Sequence, residues 1–385
     1  MKKKVIMPSI LIIIVCIVLA SVILIQQQQS ANNGKSDNVY STKNHKQRPS
    51  LNVNRQMTEK ITIGAIGDIL IHDVVYQDAF NGTKYTFEPM LENVKTLLEK
   101  PDLLTANQES MLGGLELGLS GYPTFNSPHE VADALVHAGV DIVSTANNHT
   151  LDKGEKGIKS EASYLDHIGL PHVGSFLNGK DRQQLRILNK NGIKIAFLSY
   201  TYGTNGIPVP NGKDFLVNLI DRESMKDEIH RAKKEADVVV MSIHWGIEYQ
   251  RIPTTEQKDL ASFLANEGAD IIFGSHPHVL QPMEWINTAD GRKTFVIYSL
   301  GNFISAQYND YKDIGGMATI DITKHLSEKG NSIEFSNPVF YPTYVTNHKY
   351  HQFRVVPLEN AGAFGLKNAD AKYKEIQAHM TQWLR

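Results

Sequence analysis

From residue 61 onward, short apolar runs of strand length are separated by longer stretches in which apolar residues recur every three or four positions. The runs are "ITIGAIGD" (61–68), "DLLTANQE" (102–109), "VDIVSTANNH" (140–149), "ADVVVMSIHW" (236–245), "ADIIFGSH" (269–276), "TFVIYSLGNF" (294–303) and "GGMATIDIT" (315–323). The helical period appears around 88–100, 129–138, 155–168, 222–235, 255–267 and 367–384. Thr254 followed by Gln257 forms a capping-box pair that starts the fifth of these helices. Asn191-Gly192 inside "LRILNKNGIKIAFLSYT" predicts a two-residue hairpin turn. Buried strands alternating with covering helices predict an α/β fold. The Tyr-rich, β-rich stretch after residue 305 either completes the sheet or covers the site.

The first 60 residues break this pattern. Three lysines precede an apolar stretch over residues 5–25, which are 21 residues without a charge. About 20 apolar residues suffice to cross a bilayer as a helix, and a signal-peptide core is shorter. The lysines favour a cytoplasmic N-terminus. Residues 1–25 are therefore expected to be an uncleaved signal anchor that leaves a single-pass membrane protein with its C-terminal body outside the cell. Cleavage near Ala31 and lipidation of Cys16 are the alternatives, and Val15 weakens the second. Residues 26–60 are rich in Gln, Asn, Ser and Lys and have little to bury, so they read as a disordered tether spanning about 30 Å. Residues 61–385 form the folded domain.

Charge and cysteine content narrow the chemistry. Residues 1–60 carry +7 and the remainder −9, so the acidic body is not expected to bind nucleic acid. Cys16 is the only cysteine, which excludes disulfides and thiolate metal clusters. A metal site must use His, Asp, Glu and Asn.

Those residue types collect at strand exits. Asp68 and His72 follow the first run, and Asn107 and Glu109 the second. Asn147, Asn148 and His149 follow the third, His244 the fourth, and His276 and His278 the fifth. Each alone has an ordinary structural role, as a helix cap, a turn residue or a surface histidine. Five strand ends with the same polar character point to one shared site, because ligands of α/β sheets bind beyond the carboxyl ends of the strands.

Asp68, His72, Glu109, Asn148, His244, His276 and His278 are more ligands than one tetrahedral centre needs. They suit two ions sharing a bridging carboxylate, with Mn, Zn or Fe all compatible. Two divalent ions can activate water and stabilise displacement at phosphorus. His149, directly after Asn148, stands where it could protonate a leaving oxygen.

The elements "GDILIHD", "ANQE", "STANNHTLDKG", "SIHWGIEY", "GADIIFGSHPHVLQPME" and "YSLGNFI", spread over residues 61–305, resemble the calcineurin-like metallophosphoesterase superfold. More specifically they resemble the poly-γ-glutamate capsule synthesis (CapA-type) family. The resemblance implies a β-sandwich of mixed sheets flanked by helices, in α-β-β-α layers. It implies one ion held by Asp68, His72, Glu109 and His278, and a second by Asn148, His244 and His276, with Asp68 or Glu109 bridging. His149 takes the general-acid position. The chain departs from the superfold in two places. Asp68-x-x-x-His72 replaces the usual Asp-x-His, and "NQE" places Glu109 where an aspartate is usual, which leaves His72 and Glu109 the least tightly specified ligands. Asn107, Asn147, Asp152, Glu248 and Asn302 are expected around the ions or toward substrate.

The expected function is a membrane-anchored, extracytoplasmic part in capsule polymer synthesis or export. Its partners would be membrane-embedded polymer synthase subunits, and its substrate an anionic polymer or phosphoester. Two alternatives remain: a surface phosphoesterase or amide hydrolase unrelated to capsule, and a noncatalytic assembly subunit. Loops 110–128 and 201–216 would hold the specificity and carry no recognisable motif.

Overall fold

A computed structural model describes residues 57–328 and 330–384. The anchor and tether expected within residues 1–56 lie outside them. Among the described residues no helix is long and apolar enough to cross a membrane.

Fourteen strands form two sheets. The first contains β1 (Met57–Ile69), β2 (Leu103–Gln108), β3 (Ile142–Ser144), β4 (His172–Val173), β11 (Asn302–Ile304), β12 (Ile314–Leu326), β13 (Ser332–His348) and β14 (His351–Pro357). Its order is β14-β13-β12-β1-β2-β3-β4, with β11 also pairing β1. The second sheet contains β5 (Arg186–Lys190), β6 (Ile193–Thr201), β7 (Val238–His244), β8 (Ile271–Ser275), β9 (Leu280–Asn287) and β10 (Lys293–Leu300), in the order β5-β6-β7-β8-β10-β9. The strands β1 to β4 run parallel, as do β6, β7, β8 and β10, while β5, β9 and β12 to β14 pair antiparallel with their neighbours.

Period-2 alternation explains why the strand runs are apolar throughout. On β6, Ile193, Ile195 and Phe197 enter the core between the sheets, where they meet Ile61, Ile63 and Ala65 of β1. The intervening Ala196, Leu198 and Tyr200 pack outward. They meet α4 (Arg222–Glu235) and α5 (Thr255–Glu267) through Met225, Ile229, Leu260 and Leu264. On the other side, Leu104, Ala106 and Val143 pack against α1 (Asp73–Ala79), α2 (Glu130–His137) and α3 (Gly154–Ile168). Strands covered on both faces must be apolar at every position, and the result is four layers, α-β-β-α.

The predicted capping box forms, with Thr254 Oγ1 accepting from Gln257 N and the Gln257 side chain accepting from Thr254 N. Asn191 and Gly192 both adopt positive φ in the β5–β6 hairpin, as a type I′ turn demands. The continuous helix expected around 88–100 is instead three short pieces, Glu88–Leu91, Glu92–Val94 and Lys95–Leu98, as Met90, Leu91, Val94, Leu97 and Leu98 are buried together. The stretch after 305 completes the first sheet through β12, β13 and β14. The terminal helix α6 (Ala369–Thr381) then packs Ala369, Ile376 and Met380 into the inter-sheet core.

Candidate metal centre

The carboxyl ends of β1, β2, β3, β7 and β8 converge where the two sheets meet. Asp68 arrives first. Gly67 precedes it because a Cβ there would lie 1.9 Å from Gly301 O, so only glycine lets the chain turn past that backbone. Asp68 N then donates to Gly301 O (2.9 Å). Next to it, Asn107 accepts from Ser144 Oγ (3.1 Å) through Oδ1, which leaves Nδ2 to donate to Asp68 Oδ1 (2.8 Å).

Two apolar strands deliver the histidines. His244 ends β7, with Nε2 2.9 Å from Asn148 Oδ1, 3.5 Å from Glu109 Oε1, and Nδ1 3.0 Å from Ser275 Oγ. His276 and His278 leave β8 with φ of +96° and +58°. Left-handed backbone at non-glycine residues is costly and is kept at functional sites when the surroundings enforce it. His278 Nδ1 lies 3.3 Å from Asp68 Oδ2, and Nε2 lies 3.8 Å from Glu109 Oε1. The Asn302 amide nitrogen is occupied by Gln307 Oε1 and Lys312 O, so its Oδ1 accepts from His278 Nδ1 (3.0 Å). That hydrogen bond leaves Nε2 of His278 free toward Glu109.

Three groups of side chains offer ligand atoms within 4.8 Å of one another: Asp68, Glu109 and His278; Glu109, His244 and His276; and Glu248, His276 and His278. Glu109 is common to the first two. His72 belongs to none of them. It is the cap residue of α1, and its Nδ1 sits between Leu70 O (3.1 Å) and Ala306 N (3.3 Å) with the ring edge-on to Phe125.

The fit of this set to cations is tested by its polar atoms. Both carboxylate oxygens of Glu109 and Nδ1 of His276 are buried without a hydrogen-bond partner. Among the described residues no lysine or arginine pairs with Asp68 or Glu109, whose charged neighbours are histidines. Burial, reinforced by Asp68, pushes the Glu109 carboxyl well above the ordinary carboxylate range. Burial holds His244 well below the usual imidazole range and His276 down at about 3, so both are neutral and able to donate a lone pair. Burial alone would lower His278 too, but Glu109 and Asp68 outweigh it and push it up to about 9. Two buried carboxylates that share one protonated histidine as counter-charge are expensive. Divalent cations would supply the missing charge and give the orphaned atoms a partner.

The remaining candidates separate by what they touch. His149 Nδ1 lies 2.7 Å from Asp152 Oδ2, which also accepts from Phe125 N (2.5 Å). The pair is buried, and a charge on His149 is felt by His72, His244 and His276. Asn147 shapes the turn: its Nδ2 donates to Gln108 O and its Oδ1 accepts from His149 N. Sequence reading missed Asn205, Phe125 and Tyr202. Asn205 accepts from Asn148 Nδ2 (3.2 Å), Phe125 packs edge-on against His149, and the half-exposed Tyr202 ring lies 4.6 Å from His276. All three come from the two loops without motifs, and only their place just beyond strand ends could have flagged them.

The family model described as "Bacterial capsule synthesis protein PGA_cap" matches residues 62–307, a span that holds every candidate named above. The chain belongs to that family. It is 30% identical over 295 residues to "Capsule biosynthesis protein CapA" of Bacillus anthracis, covering 73% of this chain and 67% of that one. It is 36% identical over 174 residues to "PGA biosynthesis protein CapA" of Bacillus subtilis (strain 168), covering 43% of each chain. Among solved structures it is similar to a calcineurin-like phosphoesterase, YfkN from Bacillus subtilis, with 17% identity and a TM-score of 0.46, covering 74% of this chain and 91% of that one.

Proposed function

We propose that this PGA_cap protein acts in synthesis or export of poly-γ-glutamate or a similar capsule polymer, as a membrane-anchored extracytoplasmic protein with a two-ion hydrolytic site. Family membership and the names of its Bacillus relatives support the capsule role. The apolar stretch at residues 5–25 supports the anchor and a place beside membrane-embedded synthase subunits. The observation that carries the hydrolytic reading is Glu109, a buried carboxylate with two unpartnered oxygens that faces histidines on both sides.

Asp68, Glu109 and His278 would hold one ion, and Glu109, Asn148, His244 and His276 the other. Mn, Zn and Fe all suit this donor set. When bound, such ions supply Lewis-acid polarisation of the scissile group and an activated water. The protein's own residues do the rest. Asp152 accepts from His149 Nδ1–H, which fixes the ring and leaves Nε2 to hand a proton to the leaving atom. Phe125 packs edge-on against that ring. The buried His149–Asp152 pair favours this reading over a noncatalytic subunit, since a structural metal site needs no oriented proton donor.

Replacing His149 by Ala should lower turnover of a phosphoester or amide substrate by 10²–10⁴-fold with metal content unchanged. Asp152→Asn should lower it less. In cells lacking the protein, the wild-type gene should restore capsule polymer and the His149→Ala copy should not. Full rescue by His149→Ala would end the catalytic reading while leaving the capsule role standing.

A further inference from the structure

The two ions of that reading are unequally served. One has Glu109, Asn148, His244 and His276. The other is left with Asp68, Glu109 and His278, because His72 joins none of the ligand groups. Charge is short as well: two divalent ions bring +4, and Asp68 with Glu109 return only −2.

One further carboxylate among the described residues shares a ligand group with these histidines. Glu248 offers an oxygen within 4.8 Å of ligand nitrogens on both His276 and His278. It reaches them from the loop after β7, four residues beyond His244. Trp245 is buried and donates Nε1–H to Tyr298 O (2.9 Å). Gly246 turns the chain with φ +87°, where a Cβ would lie 2.6 Å from Gln257 Oε1. Tyr249 then adopts φ +67°, a conformation unfavourable for a bulky residue. That strain is held by Tyr249 N donating to Pro277 O (2.8 Å), between the two histidines, and by Gln281 Nε2 donating to Gln250 O (2.8 Å). The loop is therefore fastened to the turn that bears His276 and His278, and Glu248 is its one charged side chain between Trp245 and Gln250. Its outer side is exposed, so it faces both the histidines and solvent.

We infer that Glu248 is a metal ligand, supplying a third carboxylate to the ion pair from the side of His276 and His278. The inference rests on the two-ion reading above. Glu248 raises the carboxylate charge to −3, so that one hydroxide would neutralise the pair of ions.

The test uses the full chain purified in detergent, stripped with chelator and reloaded with Mn²⁺ and, separately, Zn²⁺. Metal is counted by elemental analysis and affinity measured by calorimetry. The wild type should bind two ions. Glu248→Gln, a near-isosteric change at an exposed position, should keep one tight ion and weaken the other at least tenfold, with an unchanged circular dichroism spectrum. His72→Ala should keep both. Two ions bound by Glu248→Gln with wild-type affinity, or loss of an ion in His72→Ala alone, would overturn the inference and leave the two-ion reading intact. A wild type that binds neither metal would overturn both.

Discussion

His278 is the residue at which protonation and metal loading oppose each other. Burial disfavours its charge, but Glu109 and Asp68 hold the imidazole up at about 9, so it carries a proton at neutral pH. A ligand must be neutral, and the ion that His278 helps to hold must expel that proton. Mn²⁺ affinity should therefore rise by about tenfold per pH unit between pH 6.5 and 9 and level off above it. Calorimetry in buffers of different ionisation enthalpy should show at least one proton released per chain at pH 7.5. Loading with no proton release would mean that His278 is not a ligand. Most of the residues at this site were legible in the sequence, because strand-exit position and residue type alone singled out Asp68, Glu109, Asn148, His244, His276 and His278. His72 shows the limit. The sequence shows two extra residues before it, and only the folded chain shows that His72 caps α1 with its Nδ1 near Leu70 O and Ala306 N.

At the scale of an element, α3 carries a titration of its own. Glu161 on this helix is fully buried beneath the 110–128 loop and accepts from Leu112 N (3.3 Å). Burial pushes its carboxyl up to about 8, against an ordinary value of 4.5. Between those values the unfolded chain has lost this proton and the folded chain keeps it. The resulting stabilisation is full below about pH 4.5 and is lost as pH rises through about 8, an effect on the order of a few kcal/mol. Glu161→Gln keeps the acceptor for Leu112 N and removes the titration. Urea unfolding at pH 5, 6.5 and 8 should show a decline in the wild type that the variant largely lacks. Equal slopes in the two proteins would refute this role. Elements with strong local signals matched expectation, as the Thr254 capping box and the Asn191-Gly192 hairpin show. The 88–100 stretch did not, because its helical period is met by three short turns whose direction is set by packing under β14 and α2.

At the scale of the whole molecule, two sheets bring together residues more than 200 positions apart: His276 N lies 3.4 Å from Asp68 Oδ2. The acidic body and the lysine-flanked apolar stretch at residues 5–25 bear on where this assembly works. The full chain should sediment with membranes and resist extraction by high salt, while protease added outside intact cells should digest the domain. A chain beginning at residue 57 should be soluble. Release of the full chain by salt alone would contradict the anchor.

The sequence by itself determined the α/β class, the polar strand exits and the absence of thiolate chemistry, because these follow from local periodicity and residue type. The tertiary structure decided which of those polar groups meet. It brought Glu109 between two sets of histidines, left His72 outside the ligand groups, fastened the Glu248 loop to Pro277, and aimed Asn205 and Tyr202 at the site from a loop with no pattern of its own. Such contacts depend on how two sheets stack and where their loops are tied. No period within a single element carries that information.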